Sequence, residues 1–442
     1  DDNICIGYKT GYSVTGNKNI FFGNNSGETA NGDNNIGIGR NTLVGDTTTT
    51  FGNNVCIGNE AGRYIKSDNN ICIGKDSISK NTIGSDNIAI GFKSGENLGG
   101  VNSISNILIG KNSGLGCTNK ENIYIGNDSG KSNVEGKSNV YIGTNAGQNA
   151  VGVESVIIGF SAGSGTTTTD TIIGFNAGQL ATGYKNTLIG YNAGKTCIHN
   201  NTLIGFKAGE TSTGDDNTII GKDSGREIRS NNNVVVGSEA LTSILPATFD
   251  GNVVVGYSSG QKIVAGGNTY IGNEAGKNNA GTDNVIVGDN AGVLASEKAT
   301  KDNVIIGKEA GRNLQGDYNV VIGSRAGYSN VTNKINKNLL MGYEAGKLNN
   351  KYDNLLVIGN NSGSLLKETT TTYYNDSENI IIGNNSALNV NSFGNLVIGN
   401  NSGNLITTGN SNILIGEKTG DKLVSGNRNL FLGSGKSLIY KK

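Results

Sequence analysis

The stretch that decides the fold is Asn139-Val140-Tyr141-Ile142-Gly143-Thr144-Asn145-Ala146-Gly147. It strings together an asparagine, three apolar residues, a glycine, two variable residues, a small residue and a second glycine. The pattern returns along the whole chain, as Asn3-Ile4-Cys5-Ile6-Gly7 and Asn19-Ile20-Phe21-Phe22-Gly23 early on, and as Asn395-Leu396-Val397-Ile398-Gly399 and Asn412-Ile413-Leu414-Ile415-Gly416 late. The first glycine occurs twenty-six times between Gly7 and Gly433. Of the twenty-five intervals, twelve are 16 residues long, five are 17, five are 19, two are 15 and one is 24. A base period of 16, with insertions at one place in the unit, predicts a stack of repeats rather than the two or three globular domains that 442 residues would otherwise suggest.

Each unit holds one short apolar run rich in isoleucine and valine, which favours a β-strand. Seventy glycines argue against helices. Sixteen residues are too few for a βαβ unit but enough for one coil of short strands and turns. The expected fold is therefore all-β, a parallel β-solenoid of about twenty-six coils forming one continuous domain over residues 1–442. Coils stacked about 4.8 Å apart would give a length of roughly 120 Å. The single proline, Pro246, falls in the insertion between Gly237 and Gly256, where its missing N–H costs no ladder bond.

The residue before the motif glycine is always large and apolar, as in Ile6, Phe22, Val236, Met341 and Leu432, and two residues earlier the position is apolar or threonine. Alternation along a strand places these two on one face, which is assigned to the coil interior. The residue between them then points outward: Phe21, Leu108, Tyr124, Tyr141, Ile157, Leu188, Val235, Tyr270, Ile305, Val397 and Phe431. A strand apolar on both faces is expected to be covered on both faces. This middle column is accordingly the expected self-association stripe, with identical chains as the partner in a homotrimer or a filament. Asparagine opens the strand in 23 of 26 copies, with Ser155, Asp170 and Leu355 as the exceptions, and suits either an inward ladder or an outward turn. The second glycine is kept in 21 of 26 copies and replaced by Leu43, Ile78, Leu241, Ala387 and Ser437. A small residue precedes it in 25 of 26, which implies a narrow corner.

The unit Asn139 to Gly147 resembles the head repeats of trimeric autotransporter adhesins, and similar units occur in phage and giant-virus fibre proteins. The resemblance covers nearly the entire chain. It implies a left-handed parallel β-roll, three of which pack side by side. The unit here is longer than the adhesin-head repeat and carries more insertions, and no stalk coiled coil, membrane anchor or self-cleaving chaperone domain is recognisable.

Other functions are disfavoured by composition. With 36 basic and 36 acidic residues and no basic patch, nucleic acid is not an expected partner. No apolar run reaches membrane-helix length, so this segment is not expected to insert in a membrane. Asp1 opens directly into a repeat, as expected for a processed chain or the ordered part of a longer one. The only histidine, His199, stands two residues from Cys197, a spacing that seldom gives catalytic geometry, so neither an enzyme nor a cofactor is expected. Asp33, Asp68, Asp86, Asp216, Asp283 and Asp302 precede the strand and could line a calcium-binding corner, although solvated turn residues are the favoured reading. Cys56 and Cys72 occupy one repeat position in adjacent coils, within disulfide reach, and are read as apolar thiols. A threonine row at Thr187, Thr202 and Thr218 falls in a strand position assigned to the core. Threonine runs supply candidate sites for O-linked sugar at Thr47, Thr48, Thr166, Thr167, Thr369 and Thr370. The expected role is a non-catalytic shaft of an extracellular, cell-surface or virion-surface fibre. The alternative is a glycan- or calcium-binding solenoid that mediates attachment to surface glycans or host receptors.

Overall fold

The apolar run of each repeat forms a strand of three residues. In a computed structural model of the chain, residues 2–435 are described apart from 46–47, 81–82, 101, 166–168, 243–248, 330–334, 349–352, 365–377 and 390–391. The chain forms two compact units, Asp1–Asp216 and Asn217–Lys442. Among the described residues thirteen strands, from Ile4–Ile6 to Thr202–Ile204, lie in the first, and thirteen, from Thr218–Ile220 to Leu430–Leu432, lie in the second. Within each unit every strand pairs in parallel with the next, position for position. Tyr124 stands opposite Tyr141 and Tyr141 opposite Ile157, and in the second unit Val235 stands opposite Val254 and Val254 opposite Tyr270. Among the described residues there is no helix. The expected all-β parallel solenoid with a 16-residue repeat is the fold.

Hydrogen bonding between coils continues around the corners. Asn25 N–H donates to the Tyr8 carbonyl (2.9 Å), Gly27 N–H to the Thr42 carbonyl (2.9 Å) and Asn34 N–H to the Asn17 carbonyl (3.0 Å). Such turns need left-handed backbone at several points in each coil. The residue two after the motif glycine is one of them, as in Asn145 (φ 58), and the residue before the opening asparagine is another, as in Ser138 (φ 54) and Asp86 (φ 60). Asparagine and aspartate tolerate this conformation better than other side-chain-bearing residues, which accounts for much of the Asn and Asp in the repeat.

The two glycines do different work. Gly143 sits at φ +134, and a Cβ there would stand 2.5 Å from the Gly159 carbonyl oxygen of the next coil. Gly147, at φ +57, lies over the Tyr141 ring, which an added Cβ would enter. Two of the departures at this second site follow from the same contact. Leu43 (φ 45) and Ile78 (φ 44) take the left-handed position in coils whose middle strand residue is only Gly37 or Cys72. Both side chains are buried, so they fill the space that the small strand residue leaves.

The interior is built from the middle strand residue, and this corrects the sequence expectation. Phe21, Leu108, Tyr124, Tyr141, Ile157, Leu188, Val235, Tyr270, Ile305, Val397 and Phe431 are none of them more than 4 % exposed within the single chain. They are core, and cannot be a stripe between chains. The residues on either side of them, assigned to the core, point outward. The physical reason is strand parity. The opening asparagine is held inside by its neighbours, the residue two along shares its face, and the two flanking residues must therefore face solvent.

Opposite the strand, the residue seven after the motif glycine supplies a second interior column that compensates in volume. Tyr124 lies in the coil of Asn133, Tyr141 in that of Ala150 and Phe21 in that of Ala30, whereas Cys56 is matched by Ile65 and Ala89 by Leu98. The Tyr124 and Tyr141 rings stack at 4.9 Å, and Asn133 Nδ2 donates to both phenol oxygens at 3.0 and 3.3 Å.

Asparagine forms the inward ladder. Asn122 N–H and Nδ2 both donate to Asn106 Oδ1 (3.0 and 3.1 Å), and Asn122 Oδ1 accepts in the same way from Asn139 (3.2 and 3.1 Å). Asn122 Nδ2 also reaches the Gly136 carbonyl at 3.0 Å. An amide fits because each rung must accept and donate at once. Leu355 keeps only the backbone half of a rung, donating its N–H to Asn338 Oδ1 at 2.9 Å.

Candidate interaction surface

With the middle residue inside, each unit presents two outward columns of strand side chains. One runs through Ile36, Val55 and Ile71, and the other through Ile38, Ile57 and Ile73, in register from coil to coil. In every strand both flanking residues are half-buried or exposed, and all fifty-two (two in each of twenty-six strands) are apolar or threonine. Ile38, Ile142, Ile271 and Ile415 are each between 36 % and 40 % exposed. The threonine row belongs here too. Thr187 and Thr202 are aligned in register and, like Thr218 in the second unit, face outward, not into the core as their strand position first suggested. Charge lies at the corners on either side of the strand, in pairs such as Glu60–Arg63 (3.1 Å), Asp128–Lys131 (3.1 Å) and Glu344–Lys347 (2.8 Å) after it and Lys120–Glu121 (3.0 Å) before it.

Directly after the motif glycine the first unit carries four aromatic residues in consecutive coils: Phe160, Phe175, Tyr191 and Phe206. Their centroids are 5.2, 5.3 and 5.1 Å apart and their planes are within 12° of parallel. Each side chain remains 43–48 % exposed. The run is visible in the sequence once the residue after the motif glycine is aligned, and elsewhere that position is mostly polar, as in Asn24, Arg40, Asn59, Lys111 and Asn127.

The other expected sites fare differently. Thr48 is exposed, while Thr47, Thr166, Thr167, Thr369 and Thr370 lie outside the described residues. Three of the corner aspartates accept hydrogen bonds from the preceding coil. Asp33 accepts from Asn17 N–H (2.7 Å), Asp68 from Gly52 N–H (2.7 Å) and Asp86 from Asn69 Nδ2 (3.0 Å). Asp33 and Asp68 line a cleft of about 360 Å³ with Thr15 and Phe51. Among the described residues no three His, Cys, Asp or Glu side chains converge as a metal site would require. His199 Nδ1 accepts from Tyr184 N–H at 3.3 Å, on an exposed turn, whereas Cys197 is buried and burial pushes its thiol pKa up. Cys56 and Cys72 are free, buried and in register, and burial likewise raises the Cys56 thiol. No helix among the described residues is long and apolar enough to cross a membrane.

One interior group departs from the ladder's chemistry. Asp170 is 1 % exposed. Its N–H donates to Ser155 Oγ (3.2 Å), and its Oδ1 accepts from Asn186 N–H (2.8 Å) and Nδ2 (3.2 Å). Its Oδ2, standing where asparagine would carry a donor, has no hydrogen-bond partner among the described residues. Burial raises the carboxyl from 3.8 to about 6, against the bonds from Asn186 that favour the charged form.

No protein-family model matches the chain, and comparison with curated proteins finds none similar to it.

Proposed function

We propose that this chain is a structural element, the shaft of a fibre at a cell or virion surface, and that it packs against copies of itself through the outward strand columns. The observation that carries this is the uncharged, aligned aliphatic face. A standard protein interface engages about 20–30 residues on each side. Two columns over thirteen strands supply twenty-six in one unit. An apolar patch of that continuity marks an interaction surface rather than a solvated one. The repeat's resemblance to trimeric adhesin heads supports a side-by-side trimer outside the cell.

Light scattering on the purified chain tests this. A mass of three times 45.7 kDa supports the trimer, and a much larger one a filament. A monomer that persists at the highest soluble concentration refutes self-association.

A further inference from the structure

The aliphatic columns have a property that self-association must overcome. They repeat every coil, about 4.8 Å, with nearly the same residue each time. Two such faces slid past one another by one coil lose little contact, much as a uniform strand fails to specify its register. Something that does not repeat must select one alignment. In the first unit the aromatic run is such a feature, since it occupies four consecutive coils and lies two residues along the chain from the outward column of Ile158, Ile173, Ile189 and Ile204. No insertion interrupts these coils, and both 15-residue intervals of the chain, Gly159–Gly174 and Gly190–Gly205, fall within them.

The geometry also selects the occupant. The rings stack on one another along the coil axis, so both faces of Phe175 and Tyr191 and one face each of Phe160 and Phe206 are covered, while the side chains stay 43–48 % exposed. A sugar stacks on a ring face, which this arrangement withholds except at the two ends of the run. Ring edges pack against other aromatic or aliphatic side chains, with centroids 4.5–7 Å apart for aromatic pairs. A surface whose rings recur at the same 5 Å spacing over four coils is provided by another copy of the same run. We infer that Phe160, Phe175, Tyr191 and Phe206 set the register between associated copies of this chain by packing against the same four residues of a second copy. This rests on the self-association proposed above.

The test places the photoreactive residue p-benzoylphenylalanine at the outward position of Thr187, mixes that chain with an isotope-labelled copy, and locates the links between chains by mass spectrometry. It is run with the aromatic run intact and with Phe160→Asn, Phe175→Asn, Tyr191→Asn and Phe206→Asn together. Asparagine is the residue that the repeat itself uses at this position in Asn24, Asn59 and Asn127, so the coils are expected to fold, as circular dichroism would verify. Should the fourfold variant not fold, Phe175→Asn with Tyr191→Asn takes its place. With the run intact, links are expected to be confined to residues 156–206 of the partner, and in the variant to spread over other coils. Links that stay confined in the variant, or that are already spread in the parent chain, overturn the register role while leaving self-association standing. A parent chain that forms no links and scatters as a monomer overturns both.

Discussion

Replacing Asp170 with asparagine restores a donor to the one acidic rung of the ladder, and its consequence depends on pH in a direction that the structure dictates. The carboxyl is raised from 3.8 to about 6 in the fold. A group raised on folding contributes stability that is fully present below its unfolded value and lost as pH rises through its folded one. The loss therefore accumulates between about pH 4 and pH 6 and levels off above pH 7. A difference of about 2 pH units corresponds to about 3 kcal/mol at most. At neutral pH the wild-type chain holds a carboxylate whose Oδ2 finds no donor among the described residues. Hydrogen exchange at the strands Val156–Ile158, Thr171–Ile173 and Thr187–Ile189 reads the local opening free energy, because each coil contacts mainly its neighbours. Comparing variant with wild type at each pH cancels the intrinsic chemistry of exchange. Asp170→Asn should gain on the wild type by up to about 3 kcal/mol between pH 4 and pH 7, with strands distant from residue 170 unaffected. Parallel pH profiles in the two proteins would refute the reasoning, since Asp170 would then ionise inside the coil without cost.

Outward and inward substitutions should separate cleanly. Ile38→Lys with Ile142→Lys, on the outward column, should abolish association in light scattering and leave the circular dichroism spectrum unchanged. Tyr141→Ala, by contrast, empties a core position and should cost about 3–5 kcal/mol in denaturant unfolding. Asn122→Ala removes one rung from the ladder and leaves its neighbours without partners, a cost of about 1–3 kcal/mol measurable by local hydrogen exchange. In the native chain an alkylating reagent at pH 8 should modify Cys5, which is exposed, and spare Cys117, whose thiol burial pushes up to about 11. Labelling of all five cysteines without denaturant would contradict the interior placed here.

Periodicity carried most of the fold. The strand at Val140–Ile142, the turns at Gly143 and Gly147 and the parallel stacking at 16 residues are all legible in the repeat, because each depends on local conformational preference. The facing of the strand was not legible from hydrophobicity, because Val140, Tyr141 and Ile142 are all apolar and alternation has no polar residue to orient it. A weaker signal was present. Threonine enters the first strand position at Thr171, Thr187, Thr202, Thr218 and Thr269 and never the middle one, as expected if the first meets water and the middle one does not. The departures at Leu43 and Ile78 point the same way, since each falls beside a small middle residue, Gly37 or Cys72.

The sequence by itself determined the class of fold, the length of the coil and the place of its insertions, because a strand-and-turn unit repeated every 16 residues leaves few other ways to satisfy its backbone. What only the tertiary structure decided was parity and partnership. The amides of Asn106, Asn122 and Asn139 find one another only after coils 16 or 17 residues apart have stacked. That long-range bonding draws Tyr141 inward, turns Val140 and Ile142 out, and brings Phe160, Phe175, Tyr191 and Phe206 into a single stack.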